Sequence, residues 1–373
     1  MSADIDARAA EVADKLALLR EALGQAMGGQ AGGAIRLRGL DWFSWVTAGG
    51  DASLLLAADC GAAEVLVTRD DAVILTDEGE AERLRQEQVP PGFTFHIAPW
   101  AEVELRENYV LGAAAGAAVF TDRPNHVDQP LPASLRLRRM VLGAGEQDRY
   151  RALGAEAAAA VGEALRAARP DWTEFQLAAA AAQALWSRGI QPAQVLAAGE
   201  RRLSLYRHPV PSHEPLGGRA TLQVCARRHG LHANLARSVS FGPAPVEQAE
   251  LLQVEATGLD AIRPGNSLAA VYHALDAAYR HANRPDAIRA RQQGGITGYA
   301  AREIVATAST ATGLETGMAF AFSPSLAGIT IEDTFLLGRA GLENLTLDPQ
   351  WPAAEVPGRA SKGLARPLWL EKT

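Results

Sequence analysis

Two cysteines, Cys60 and Cys225, are all that the 373 residues carry. That is too few for a disulfide framework, and a reducing cytoplasm is the expected compartment. Long apolar runs are missing as well: nothing approaches the roughly 18 consecutive apolar residues that a bilayer span needs. The opening MSADIDARAAEVADK holds acids where a signal peptide would hold its apolar stretch. Basic charge is also short. Against 43 acidic residues there are 36 basic ones, a formal net charge of -7, and the run Arg136, Arg138, Arg139 is too brief to create the dense cationic surface that a nucleic acid requires. Neither a membrane nor a nucleic acid is expected as a partner. What is present is apolar material, 48% of the chain with 21% charged, enough for substantial cores. The length exceeds the roughly 250–300 residues at which a single core stops growing, so two domains are expected.

The two parts differ in pattern. Val12, Leu16, Leu19 and Leu23 recur at helical spacing between Asp6 and Ala26, and the glycines from Gly28 to Gly33 end the pattern. Short β-prone runs follow at 34–37, 52–57, 64–68 and 72–75, then a helical stretch at 77–88 and a strand at 93–97. This reads as a small α/β domain over 1–135. From there on, long Ala-rich helices dominate. One covers 146–168. A second begins at the capping box of Thr173 and Gln176 and closes at Gly189. Two more cover 246–262 and, behind the cap Ser267, 268–283. Strands are expected at 220–226, 231–241, 318–323 and 329–337. The second domain, 136–373, thus holds two sets of helices and hairpins, readable as pseudo-symmetric halves around one sheet.

The stretch from Arg207 to Gly242 resembles the first half of the M24 family, the aminopeptidase P, prolidase and creatinase superfamily. His208-Pro209-Val210-Pro211 matches a His-x-x-Pro element, Gly230 a glycine, and Ala236-Arg237 a Thr-Arg. Asn234 stands at the second metal Asp and Gln223, eleven residues earlier, at the first. Gly295 to Glu303 is similar to the segment running from His-Gly-Ile-Gly to His-Glu, with Gly295 at the metal His and Arg302 at the second His. Leu314 to Pro324 resembles the Gly-Met…Glu-Pro segment, with Ser323 at the first metal Glu. Ile331-Glu332-Asp333 matches Ile-Glu-Asp, and Glu332 keeps the second. More loosely, Asp41 to Gly50 is similar to the segment before a Leu-Thr-Gly in the prolidase and creatinase branch. The implied fold is α+β, an N-terminal creatinase-like α/β domain followed by a C-terminal pita-bread domain, and the implied assembly a homodimer.

Two divalent ions side by side need several anionic oxygens to offset their charge. Four of the five ligand positions implied by the resemblance are Gln223, Asn234, Gly295 and Ser323, so no dinuclear site, no metal and no other cofactor is expected. Creatinase implies another use of the fold, a metal-free hydrolysis of a C–N bond with a His as acid/base. His208 and Glu332 are the matching catalytic candidates, with Glu303 nearby. For each, a bland alternative stands beside the functional one. His208 is an acid/base or a surface histidine. Glu332 binds a substrate amine, or pairs with Arg237 or Arg302. Arg302 binds a carboxylate through its planar fork, or lies at the rim. His208, His213, Cys225, His229 and His232 offer zinc-type donors but no paired spacing, and Cys225 reads as a small buried strand residue.

The resulting expectation is an Xaa-Pro peptidase relative without its metal site, non-catalytic or ligand-binding, as the metal-free domain of this fold in a histone chaperone is. Its cleft would take a small molecule or short peptide, with Arg237, Arg302 and Glu303 as candidate binding residues. Two alternatives remain. One is a creatinase-like hydrolase of a small C–N substrate. The other is a residual Xaa-Pro dipeptidase or aminopeptidase, whose ligands would then be sought among Asp276, Asp286 and Glu315.

Overall fold

In the computed structural model, residues 2–358 and 363–372 are described, with side chains from Arg8 onward. The chain forms two compact units, 1–139 and 140–373. The boundary expected at 135 falls inside the helix Ala133–Arg139, so the first unit keeps that helix whole.

The first unit opens with the helix Ser2–Ala26, which buries Val12, Leu16, Leu19 and Leu23 as its spacing predicts. Its six-stranded sheet runs, from edge to edge, Thr94–Ala98, Ala72–Asp77, Cys60–Val67, Ala34–Gly39, Val119–Thr121 and Gln129–Pro130. Pairing is antiparallel among the three inner strands from 34 to 77 and parallel outside them. Two expectations fail here. The run 52–57 is loop, because the Asp51 carboxylate accepts the Ser53 amide at 2.8 Å in an Asx turn and Leu54, Leu55 and Leu56 face solvent. The helix expected from 77 starts only at Ala81, because Asp77 accepts the amides of Gly79 and Glu80 at 2.9 and 3.2 Å and holds a turn there.

In the second unit the helix Ala144–Ala167 leads into Glu174–Trp186. The expected capping box forms: the Thr173 hydroxyl accepts the Gln176 amide at 3.2 Å and the Gln176 side chain accepts the Thr173 amide at 2.7 Å. Ser267 likewise caps Leu268–His281, which packs on Glu247–Leu259. Two sheets lie against these helices. One contains Gln191–Gly199 and the hairpin Arg219–Arg228 and Leu231–Ser240, with Leu370–Glu371 at its edge. The other runs Ile304–Val305, Gly294–Thr297, Ala319–Phe322, Asp333–Gly338 and Gly341–Asn344. The strand expected at 329–337 is broken at Ile331 and Glu332 into two pieces. Glu332 instead bridges to Ala236, whose amide donates to the Glu332 carbonyl at 2.9 Å, and this bridge joins the two sheets. Beneath the second sheet Phe320, Phe322 and Phe335 pack with Leu251, Leu275 and Tyr279 in one buried cluster.

Candidate functional site

The bridge between Ala236 and Glu332 brings the five motif positions together. In the hairpin 219–240, Gln223 pairs with Ala236 and Cys225 with Asn234, so strand alternation puts all four on one face. A two-residue turn at His229 and Gly230, both at positive φ (54° and 75°), fixes this register. In the second sheet Gly295 pairs with Ala321, and Ala321 with Thr334. Ser323 and Glu332 stand one residue beyond the paired Phe322 and Asp333. Gly295, Ser323, Thr334 and Glu332 therefore share the face that meets the hairpin, where the Asn234 amide donates to Thr334 Oγ1 at 2.8 Å. Residues of opposite parity turn away. Arg237 is buried on the far side, donating to Asp333 at 2.7 Å and to the Thr346 carbonyl. Arg366 reaches the other Asp333 oxygen at 2.7 Å and pairs with Glu255.

Each motif position has a definite environment. Asn234 Nδ2 faces acceptors: Thr297 Oγ1 at 3.2 Å and the carbonyls of His232 and Ala301 at 3.4 and 3.5 Å. That ring asks for a donor, which an amide supplies and a carboxylate would not. Gly295 lies so close to the strand Ile304–Val305 that a Cβ would stand 2.0 Å from the Ile304 carbonyl oxygen. Ser323 Oγ accepts from Arg291 Nη2 at 3.3 Å. Glu332, the one carboxylate among the five, accepts from Arg302 Nη2 at 2.5 Å, while Arg302 Nη1 donates to the Ala301 carbonyl at 2.7 Å. Of the two pairings foreseen for Glu332, its side chain makes the one with Arg302; Arg237 reaches only its backbone carbonyl, at 3.3 Å.

His208 lies at the rim, largely exposed. Among the described residues no hydrogen bond joins its ring to Glu332 or Glu303. Partial burial and the neighbouring Arg291 charge lower its pKa, with Glu332 opposing them. Glu303 is buried beside Tyr150 and Gly298, and its amide donates to the Ile296 carbonyl at 2.8 Å. Cys225 is buried on the inner face, and burial pushes its thiol up to about 12, so at neutral pH it is no nucleophile. The other zinc-type donors scatter. His213 packs edge-on against Phe175, His229 occupies the hairpin turn, and the His232 ring lies 3.4 Å from the Gly298 carbonyl. Among the described residues no three His, Cys, Asp or Glu side chains are grouped to hold a metal ion. The spare acid Asp276 is tied to Arg280 at 3.0 Å.

Sequence reasoning missed Arg291 and Arg207. Arg291 stands four residues before the Gly295 position and reaches Ser323, and its Nη1 lies 3.4 Å from the Arg207 carbonyl. The signal was available as a pair of basic residues shortly ahead of two motif segments, Arg207 directly before His208 and Arg291 three residues before Gly294.

Solved structures share this architecture. The Xaa-Pro dipeptidase from Bacillus anthracis superposes with a TM-score of 0.73 at 18% identity, covering 91% of this chain and 98% of that one. The dipeptidase PepE from Mycobacterium ulcerans gives 0.72 at 22% identity, covering 91% and 96%. The N-terminal domain of the FACT complex subunit SPT16 from chickpea, Cicer arietinum, gives 0.66 at 14% identity, covering 92% and 96%. At these identities the likeness establishes the fold, the α+β pita-bread architecture expected from the motifs. No curated protein sequence gives a significant match. The model of metallopeptidase family M24 matches residues 148–339, more than half of the sequence and all five motif positions, and the chain accordingly belongs to that family.

Proposed function

We propose that this protein is a metal-free member of the family whose cleft binds a ligand and does not hydrolyse Xaa-Pro bonds by the two-metal route. The observation that carries the reading is the ion pair between Arg302 and Glu332 at 2.5 Å. It commits the one remaining carboxylate to a guanidinium that occupies the position of the family's second His. The donor set does not fit two divalent cations. Gln223 and Ser323 are neutral, Asn234 presents its NH2 to a ring of acceptors, Gly295 has no room for a side chain, and Arg291 and Arg302 add positive charge beside them. Such ions need anionic oxygens, and cations next to them raise the electrostatic cost further.

The exposed His208, without a hydrogen bond to Glu332, favours binding over a creatinase-like mechanism, which needs a histidine held against the reacting bond. In this reading Arg302 and Glu332 line the ligand cleft, and Arg237, bound to Asp333 on the opposite face, does not. A cytoplasmic homodimer is part of the same proposal, with light scattering as its check. Among the described residues no helix is long and apolar enough to cross a membrane.

The deciding experiment measures metal content by plasma mass spectrometry after incubation with Mn2+, Co2+ or Zn2+ and desalting, alongside hydrolysis of Ala-Pro. Essentially no retained metal and no hydrolysis are expected. About two metals per chain with Ala-Pro cleavage would overturn the proposal.

A further inference from the structure

The guanidinium of Arg291 lies within electrostatic reach of those of Arg207 and Arg302 and of the Glu332 carboxylate. Arg302 is answered by that carboxylate. Among the described residues neither Arg207 nor Arg291 has a carboxylate partner: Arg207 donates to the Leu326 carbonyl at 2.8 Å, and Arg291 reaches only the Ser323 hydroxyl and the Arg207 carbonyl. The Nε atoms of both Arg291 and Arg302 are buried without an acceptor. On the facing hairpin Gln223, only 6% exposed, has no side-chain hydrogen bond among the described residues. Burial, Arg302 and Arg207 all push the Arg291 pKa down, with Glu332 the main opposing charge. Arginine nevertheless stays charged in proteins. An excess of partly buried positive charge with orphaned donors is a costly arrangement for the free protein, and an anion from outside the chain would relieve it.

We infer that this inner face binds a small organic carboxylate, clamped by Arg291 and Arg302, with Gln223 and Ser323 offering neutral polar groups beside it. This rests on the metal-free reading, since cations and divalent metals compete for the same space. A planar carboxylate suits the guanidinium fork. The fork takes phosphate too, but the backbone-amide cradle that reinforces many phosphate sites is not offered by Gly294-Gly295, which is locked between the strands 304–305 and 319–322.

The test titrates full-length, chelator-treated protein with succinate by calorimetry and thermal shift, with chloride and inorganic phosphate as comparisons. Saturable succinate binding and a raised Tm are expected, with binding weakened about tenfold or more in Arg291→Gln. Should Arg291→Gln lower the urea midpoint, Ser323→Glu serves as the second variant, because it sets a carboxylate against Arg291 and must also weaken succinate while the chain stays folded. No saturable succinate binding, or succinate binding indifferent to both variants, overturns the inference, and so does phosphate binding more tightly than succinate. Metal content is read on the same samples. A metal-free protein that ignores succinate sinks the inference alone, whereas two bound metals per chain sink the reading beneath it.

Discussion

Arg302 donates to Glu332 at 2.5 Å beside the seam where the Ala236–Glu332 bridge joins the two sheets. Both side chains are mostly withdrawn from water, 17% and 8% exposed, so each depends on the other for its charge partner. Arg302→Met should therefore destabilise the fold by roughly 3 kcal/mol, since removing one partner strands the other. Arg302→Met combined with Glu332→Gln should recover part of that loss. Urea midpoints of the two variants and the parent check this; a double variant no more stable than Arg302→Met would contradict it.

Introducing the family's metal-ligand residues at the five motif positions should fail at Gly295. Its missing Cβ would stand 2.0 Å from a backbone oxygen that is itself held in a strand pair, so Gly295→His must move the strand 304–305 and should cost about 3 kcal/mol. Metal affinity should not rise. Circular dichroism melts and metal analysis of Gly295→His, alone and with Gln223→Asp, Asn234→Asp and Ser323→Glu, read out both parts.

His208 should titrate below 6.5, and the sign of each neighbour can be tested separately. Replacing Arg291 by Gln removes a charge that opposes protonation and should move the pKa up; replacing Glu332 by Gln removes one that favours it and should move it down. Histidine resonances followed by NMR across pH 4–8 give the direction in each case. Because the folded value lies below that of the unfolded chain, the group costs stability as pH falls below 6.5 and is neutral in effect above it. Shifts of the opposite sign would mean that His208 does not face Arg291.

Much of this architecture is written locally in the sequence, and the parts that are not have identifiable causes. Caps such as Thr173 with Gln176, and Ser267, act over three or four residues and are legible directly. The strand Gln191–Gly199 was missed because Gln191, Pro192 and Gln194 interrupt any alternation, and the strand is held by its neighbour 219–228. Leu54 to Leu56 look like a strand by composition, yet they follow the Asx turn at Asp51 and face solvent in a loop. At the site the motif spacing identified Gln223, Asn234, Gly295, Ser323 and Glu332, and alternation along the paired strands puts them on one face. It could not reveal which way the neighbouring charges point. Arg237 and Arg302 look equivalent as sequence, but strand parity sends the first to Asp333, whereas the second reaches Glu332 from the loop between the strands 294–297 and 304–305. Arg291 belongs to no motif and enters only because the loop before Gly294 folds back on Ser323.

On the far face, parity has collected a second charge network, Arg237–Asp333–Arg366–Glu255, in which all four side chains are almost wholly buried. Arg366 holds both acids, so Arg366→Met should cost about 3–5 kcal/mol and be among the most damaging single changes in the second unit. Asp333→Asn should cost less, because the amide still accepts from Arg237. Equilibrium urea unfolding ranks the two, and equal losses would show that the network is not organised around Arg366.

The two cysteines should separate cleanly by reactivity. Cys60 is exposed and Cys225 buried, and the Cys225 thiol is pushed up to about 12, chiefly by burial, so thiolate is scarce there at neutral pH as well as inaccessible. Native protein treated with a thiol reagent at pH 8 should take up one label, on Cys60, and a second only in denaturant. Peptide mapping assigns the sites. Because the hairpin that carries Cys225 also carries Gln223 and Asn234, the rate at which Cys225 becomes labelled under mild denaturant reports opening of the cleft itself. Succinate should slow that rate if it binds where Arg291 and Arg302 converge, and leave Cys60 labelling untouched, whereas equal protection of both cysteines would point to a global effect in place of a bound ligand.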